Sequence, residues 1–286
     1  MSPIRWRSRP DLDRPVLVAA FEGWNDAGDS ASGAARWLLE RQGATQIGII
    51  DCEEYFDFTT TRPVLAEDDE GSRTIEWPDI EIWAAPMSDG RDLVVLIGQE
   101  PQLRWRSFTT SVLQLVADLE VSLVLTLGAL LSDIPHTRPT VVTGTTDDPD
   151  MAERLHLVRS TYEGPTGIVG VLGSALRDAR VPTASLWASV PTYVSGAPSP
   201  KATLALIERT CDLLGFHPPT TDLEIASAAY VRQLNELVAA DEDTAAYVAG
   251  LEEAADDEGE PLDDIALTEA DAGELVQEVE RFLRGD

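Results

Sequence analysis

Lysine is almost missing from this chain, which has one, Lys201, in 286 residues. A P-loop ends its glycine-rich turn in Gly-Lys so that the ammonium group reaches the phosphates, and no such string occurs. Lysine-dependent phosphate clamps and Schiff-base chemistry are left with that single candidate, which follows Pro200 at the start of a helix-like segment. Cysteine is as scarce. Cys52 and Cys211 stand far apart without ligand or redox spacing, which argues against a disulfide framework and fits a reducing cytoplasm. The histidines His136, His156 and His217 include no pair three or four residues apart, and carboxylate pairs such as Asp26 and Asp29 arise by chance in so acidic a chain, so no metal and no cofactor is expected.

Positive charge is short as well. Against 51 acidic side chains stand 21 basic ones, for a net charge of -30, and such a surface repels phosphate backbones and anionic headgroups. Nucleic acid and membrane are therefore excluded as expected partners. Half of the excess lies in residues 241–286, with 17 acidic and 2 basic side chains, which read either as a solvated helical face or as an acidic docking surface. Long apolar runs are missing too. The longest, Val121 to Leu131, is broken by Ser122, Thr126 and Gly128 and is too short to span a bilayer. The start MSPIRWRSRP has arginines with no apolar segment behind them, unlike a signal peptide, and a cytoplasmic protein is expected.

What is present is a core: 43% of the residues are hydrophobic. Short apolar, β-branched runs recur at RPVLVAAF, ATQIGIID, DLVVLIGQ, VSLVLTLGAL, PTVVTG and VPTASLWASV. Between them Ser30–Gln42, Trp105–Leu119 and Val171–Arg180 repeat apolar residues at helical spacing. This alternation predicts an α/β fold with a mostly parallel sheet covered by helices on both faces. A hairpin is expected around Trp77-Pro78-Asp79, between two alternating stretches. Beyond Pro200 the strand signals stop, and Lys201–Phe216, Leu223–Ala239, Thr244–Leu251 and Thr268–Arg284 read as helices, interrupted by a mobile acidic run around Glu252 to Asp264. The expected division is an N-terminal arm at 1–14, an α/β core at 15–216, C-terminal helices packed on it at 217–251, and an acidic tail with a terminal helix at 252–286.

Chemistry-bearing motifs are few. Gly164, Gly167, Gly170 and Gly173 lead into a helix without the G-x-G of a dinucleotide fingerprint, and close helix packing explains them better than anion binding. Gly28-Asp29-Ser30 and Asp133-Ile-Pro-His136 superficially resemble a serine-esterase pair, but Ser30 lies nine residues past Phe21 and the Asp-His pair is mid-chain, so Ser30 reads as a first-turn or capping residue. Polar groups do collect after three strand candidates: Glu22, Asn25, Asp26 and Asp29; Gln99 and Glu100; Asp133, His136 and Arg138. Strand ends of a parallel sheet converge on one edge, so these either share a crevice or form loop ends and salt bridges at a subunit interface.

The blocks FEGWNDAGDSA, EYFDFTTTRP, GQEPQLRWRSF, GALLSDIPHTRP, YEGPTGIVGVL and LWASVPTYV, in this order, resemble the proteasome assembly chaperone 2 family in its actinobacterial branch. The resemblance implies a three-layer α/β sandwich like that of nucleoside phosphorylases and related peptidases, and homo-oligomers that are trimers or multiples of them. For relatives it implies chaperones that dock on proteasome α-subunits, some by a terminal hydrophobic-tyrosine motif. This chain ends Phe282-Leu283-Arg284-Gly285-Asp286, without the tyrosine. The resulting expectation is a non-catalytic, protein-binding, assembly-chaperone-like protein. The alternative is a small-molecule hydrolase or phosphorylase-like enzyme with a crevice at the strand ends. In either case Trp24, Asn25, Asp26, Glu100, Asp133, His136 and Arg138 are the residues expected to line the crevice or interface.

Overall fold

The run Val16–Glu22 (β2) is buried along almost its whole length, and its residues alternate between two cores. Val16, Val18 and Ala20 face one helical layer; Leu17, Ala19 and Phe21 face the other. A strand with no polar face has to lie inside a sheet covered on both sides. The structure, a computed structural model, describes residues 3–67, 71–194 and 196–257.

The other strands of the first half are β1 (Ile4–Trp6), β3 (Thr45–Ile50), β4 (Val64–Glu67), β5 (Arg73–Glu76), β6 (Ile80–Pro86) and β7 (Asp92–Gln99), with the helices α1 (Ser30–Gln42) and α2 (Trp105–Asp118). The second half supplies β8 (Leu123–Ser132), β9 (Val142–Thr145) and β10 (Thr183–Pro191), and the helices α3 (Pro149–Leu155), α4 (Ile168–Asp178), α5 (Pro200–Leu214), α6 (Thr221–Ala239) and α7 (Glu242–Asp257).

Eight strands form one sheet in the order β1-β3-β6-β7-β2-β8-β10-β9. Its centre, β7-β2-β8-β10, is parallel, and β3 runs the same way, while β1, β6 and β9 are reversed. The expected α/β class and mostly parallel sheet are therefore present. Ala31, Ala34, Ala35 and Leu38 of α1 and Leu206 and Ile207 of α5 pack on one face. Phe108, Val112 and Leu115 of α2 and Leu172 and Leu176 of α4 pack on the other. Small residues on α1 let it lie close to the sheet. Gly128 of β8 does the same for Trp187 of β10, since a Cβ there would sit 2.6 Å from the indole ring.

The hairpin expected at Trp77-Pro78-Asp79 is corrected by the structure. Both flanking stretches are strands, but β5 pairs back with β4 in a separate two-stranded sheet and β6 joins the main sheet beside β7. Ile80 and Ile82 of β6 are fully buried, whereas every residue of β5 is exposed, so burial sends the two stretches to different sheets. At the C-terminus α6 packs on α5 and α7 on α6. The Trp37 Nε1–H and the Arg41 guanidinium both donate to the Asp222 carboxylate, at 2.9 and 2.6 Å, which ties α6 to α1. Helix α7 continues through Glu252 to Asp257; the helix expected at 268–284 lies outside the described residues.

Candidate functional site

The three adjacent strands β7, β2 and β8 are parallel, so the segments that follow them meet at one edge of the sheet. After β2 the backbone turns through Gly23, with φ of 111°, and then through Gly28 and Asp29 in the left-handed region before α1 begins. Gly28 is required there: its φ is 59°, a Cβ would stand 3.0 Å from that of Ser199, and its carbonyl accepts the Ser199 N–H at 2.7 Å. Asp26 caps α1 from four residues before its start. Its Oδ1 accepts the N–H groups of Ala31 and Ser32 at 2.6 and 3.2 Å. Burial pushes the Asp26 pKa above the usual carboxylate range despite these donors, with the charge of Asp29 adding to the rise. The Ser30 hydroxyl donates to the Ala27 carbonyl at 2.8 Å, as befits a first-turn residue.

Asn25 and Glu100 form the second unit. The Asn25 amide donates to Glu100 Oε1 at 2.8 Å, and the same oxygen accepts the Ile168 N–H at 2.7 Å. Gly167, the residue before α4, offers no side chain to cap that helix, so Glu100 does it from across the sheet edge. Gly167 has to be a glycine, because a Cβ would collide with the Asn25 side chain. Asn25 is buried, its carbonyl accepts the Ala129 N–H at 2.8 Å, and its Oδ1 has no partner. Trp24, next door, is 66% exposed, and its ring meets no other aromatic ring among the described residues.

Asp133, His136 and Arg138 lie on the loop after β8 and grip the C-terminal helices. Asp133 Oδ1 accepts the hydroxyls of Thr192 and Tyr247 at 2.8 and 3.0 Å. The His136 N–H donates to the Tyr193 oxygen at 2.7 Å, which leaves the phenol hydrogen for His136 Nδ1 at 2.8 Å; Nε2–H then donates to Asn235 Oδ1 of α6 at 3.0 Å. The network thus assigns a neutral imidazole with every ring nitrogen satisfied. Burial lowers the His136 pKa in agreement, with the Lys201 charge nearby, although the Asn235 contact works against the shift. Arg138 holds Asp256 of α7 in a fork, Nε and Nη2 lying 2.8 and 2.7 Å from the two carboxylate oxygens, and Thr137 donates to Glu252. The half-buried Lys201 ammonium donates to the carbonyls of His136 and Arg138, and burial lowers its pKa.

All seven expected residues therefore sit at the C-terminal edge of the strands, but their side chains form two separate units. Among the described residues no hydrogen bond or ion pair joins the side chains of Trp24, Asn25, Asp26 and Glu100 to those of Asp133, His136 and Arg138. The cavity beside His136, Ser199, Lys201 and Tyr230 measures ≈ 10 Å³, the size of one water. A cleft of ≈ 400 Å³ lies elsewhere, around Thr183 at the N-terminal end of β10, with Arg177, Arg180 and Asp147 on its walls. Ligand atoms of Asp51, Cys52 and Asp79 come within 4.8 Å of one another, the spacing of a cation site. They fit one poorly: Asp79 accepts the Cys52 N–H at 2.9 Å, Asp51 pairs with Arg5, and burial pushes the Cys52 thiol up to about 12. The Cys211 thiol is likewise pushed up to about 12, chiefly by burial.

Sequence reasoning missed the partners in these units, Tyr193, Asn235, Tyr247, Glu252 and Asp256. Asn235, Tyr247, Glu252 and Asp256 sit inside amphipathic or acidic helices with no local pattern to mark them. Gly167 was visible as one of four spaced glycines, and its contact with Asn25 is the close approach that such a glycine permits.

Fold and edge together define a three-layer α/β protein whose polar groups at the strand ends brace the scaffold and its C-terminal helices. The chain belongs to the PAC2 family, whose model matches residues 20–238. A PAC2 family protein from Streptomyces avermitilis is 45% identical, with a TM-score of 0.76 over 82% of this chain and 99% of that one. The Mycobacterium tuberculosis proteasome-assembly chaperone homologue is 43% identical, with a TM-score of 0.74 over 82% of this chain and 99% of that one. Pyrococcus furiosus PbaB, an archaeal proteasome activator, shares the fold at 17% identity, with a TM-score of 0.67 over 82% of this chain and 97% of that one. No curated protein matches the chain.

Proposed function

We propose that this protein acts in the cytoplasm by binding other proteins, as an assembly-chaperone-like oligomer of three subunits or a multiple of three, with proteasome α-subunits as its partner. One observation carries the reading. At the strand edge the polar side chains that could do acid-base work are held by partners within the chain, with Asp26 and His136 buried, while large apolar ones face outward. Trp24 after β2, Leu103 after β7 and Leu131 at the end of β8 are all exposed. Neighbouring parallel strands bring these three to the same edge, and apolar side chains collected at one edge mark an interaction surface. A catalytic reading would need a nucleophile beside a free base and room for a substrate. His136 instead has both ring nitrogens occupied and a ≈ 10 Å³ space beside it. Similarity to the Mycobacterium tuberculosis proteasome-assembly chaperone homologue, at 43% identity, favours the same partner.

Native mass spectrometry of the protein mixed with the proteasome α-subunits of its own organism tests the proposal. A stoichiometric complex is expected. A homo-oligomer that ignores the α-subunits and carries a co-purified small molecule would overturn it in favour of an enzyme.

A further inference from the structure

The cleft around Thr183 lies at the start of β10, about 26 Å along that nine-residue strand from its C-terminal end. Three segments wall it: the run from Thr145, at the end of β9, to Pro149; Gly173 and Arg177 of α4, with Arg180 just past the helix; and Val181 to Thr183, which leads into β10. Its ≈ 400 Å³ is the size of a small-molecule site, and Pro149, Val181 and Pro182 give it an apolar wall against which a carbon skeleton can lie. No histidine, cysteine or lysine lines it, so what it offers is binding.

The charged groups at this cleft are unequally occupied. Asp147 lies between two arginines, with Oδ2 3.2 Å from Arg177 Nη1 and Oδ1 3.7 Å from Arg159 Nε. Arg177 spends further donors on the Ser174 hydroxyl at 2.8 Å and on Asp178 at 3.5 Å. Asp148 Oδ1 caps α3, accepting the N–H groups of Asp150 and Met151 at 2.9 and 3.0 Å, and leaves Oδ2 open. Arg180 differs from all of these. Its guanidinium makes no hydrogen bond, ion pair or ring contact among the described residues, in a chain with 51 acidic side chains. One positive charge is therefore left over, on a planar fork whose geometry matches a carboxylate. Half of the chain's excess acidity belongs to residues 241–286, and α7, which opens that stretch, is held by Arg138 at the other edge of the sheet.

Hydroxyl groups supply the other donors. Thr126 is fully buried, and its oxygen has one partner, the Ser185 hydroxyl at 2.6 Å. A buried hydroxyl hydrogen needs an acceptor, so Thr126 donates to Ser185 and the Ser185 hydrogen is left for the cleft. Thr145 makes no side-chain hydrogen bond among the described residues, and the Ser160 oxygen only accepts the Tyr162 N–H at 3.4 Å, so both can donate as well. We infer that this cleft binds a small polyhydroxy carboxylic acid, its carboxylate in the fork of Arg180 and its hydroxyls among Thr145, Ser160, Ser185 and Asp148 Oδ2. A phosphate dianion would bring a second charge that the lining, with Arg177 already paired, does not answer. An uncharged sugar would leave Arg180 unused. The site is separate from the protein-binding surface proposed above.

Isothermal titration calorimetry with gluconate, glucuronate and quinate as probes tests the inference. At least one of them should bind the unmodified chain with a dissociation constant below about 1 mM, and glucose and acetate should bind roughly tenfold more weakly or worse. Arg180→Gln should weaken binding roughly tenfold or more and Thr145→Val about fivefold, the losses of a charged and a neutral hydrogen bond. Arg180 is exposed, so its replacement should leave the urea midpoint in place and separate lost binding from lost folding. No saturable binding of any of the three acids, binding that Arg180→Gln leaves unchanged, or tighter binding of glucose 6-phosphate than of the acids would overturn the inference. The Trp24→Ala, Leu103→Ala double variant should bind the probe as the unmodified chain does, so this site and the protein-binding surface stand or fall separately.

Discussion

Replacing Glu100 with alanine should destabilise the protein by about 3 kcal/mol, because one carboxylate oxygen serves two donors from distant parts of the chain. It accepts the Asn25 amide at 2.8 Å and the Ile168 N–H at 2.7 Å, and both Asn25 and Ile168 are buried. Each buried donor left without an acceptor costs about 1–3 kcal/mol, and the lost negative charge at the start of α4 adds roughly 0.3–1 kcal/mol. A water entering the vacated space would offset part of this, which places the sum near the lower half of the range. Equilibrium urea unfolding measures it as a lower midpoint at constant slope, and a thermal scan should fall by roughly 6–12 °C at about 2–4 °C per kcal/mol. Glu100→Gln retains an acceptor oxygen and should lose only about 1 kcal/mol. Asn25→Ala combined with Glu100→Ala should show a coupling of about 0.5–3 kcal/mol, since the two share a bond. A loss below about 0.5 kcal/mol for Glu100→Ala, or strict additivity with Asn25→Ala, would refute the bracing role.

Three further outcomes are expected. Asp26→Ala should lose about 1 kcal/mol with its cap, whereas Asp26→Asn keeps an acceptor and should match or exceed the parent at neutral pH. The raised Asp26 pKa means that its contribution is fully present below the ordinary carboxylate pKa and lost as pH rises through the folded value, so the urea midpoint of Asp26→Asn should vary less with pH over that range. His136 has the opposite sign: its lowered pKa gives stability present above the ordinary value of 6.5 and lost as pH falls below it, and His136→Gln should remove that part of the acid dependence in thermal scans. Arg138→Ala should speed amide hydrogen exchange in α7, residues 242–257, while the β2–β8 ladder keeps its protection; unchanged exchange would mean that the Asp256 fork does not hold the helix.

The parts of the fold that a local period encodes were legible in the sequence. The run VLVAAF has no polar face, so a strand buried on both sides follows, and α1 begins at Ser30 and ends at Gln42 before Gly43, as spacing and the left-handed glycine require. Pairing was harder to read. The stretch RTIE alternates like a hairpin arm, but its partner VLAE is only four residues long with no alternation of its own, and nothing nearby in sequence says that β6 prefers the core while β5 does not. At the candidate site, convergence of the segments after β7, β2 and β8 could be argued from parallel strands alone. The destinations of their side chains could not. Arg138 reaches Asp256 across 118 residues and His136 reaches Asn235 across 99, distances over which composition carries no signal. The acidic segment after residue 241 read as solvated surface or docking surface, and part of it, Glu252 and Asp256, turns out to be a partner for the loop after β8.

On the proposed reading the strand edge binds proteins through its exposed apolar side chains while its polar groups hold the fold. The decisive experiment is affinity for the α-subunits, measured by biolayer interferometry with the Trp24→Ala, Leu103→Ala double variant. Binding should fall at least tenfold, with the urea midpoint and the oligomer mass unchanged. Unaltered binding by a correctly folded double variant would contradict the claim and take this edge out of the interaction.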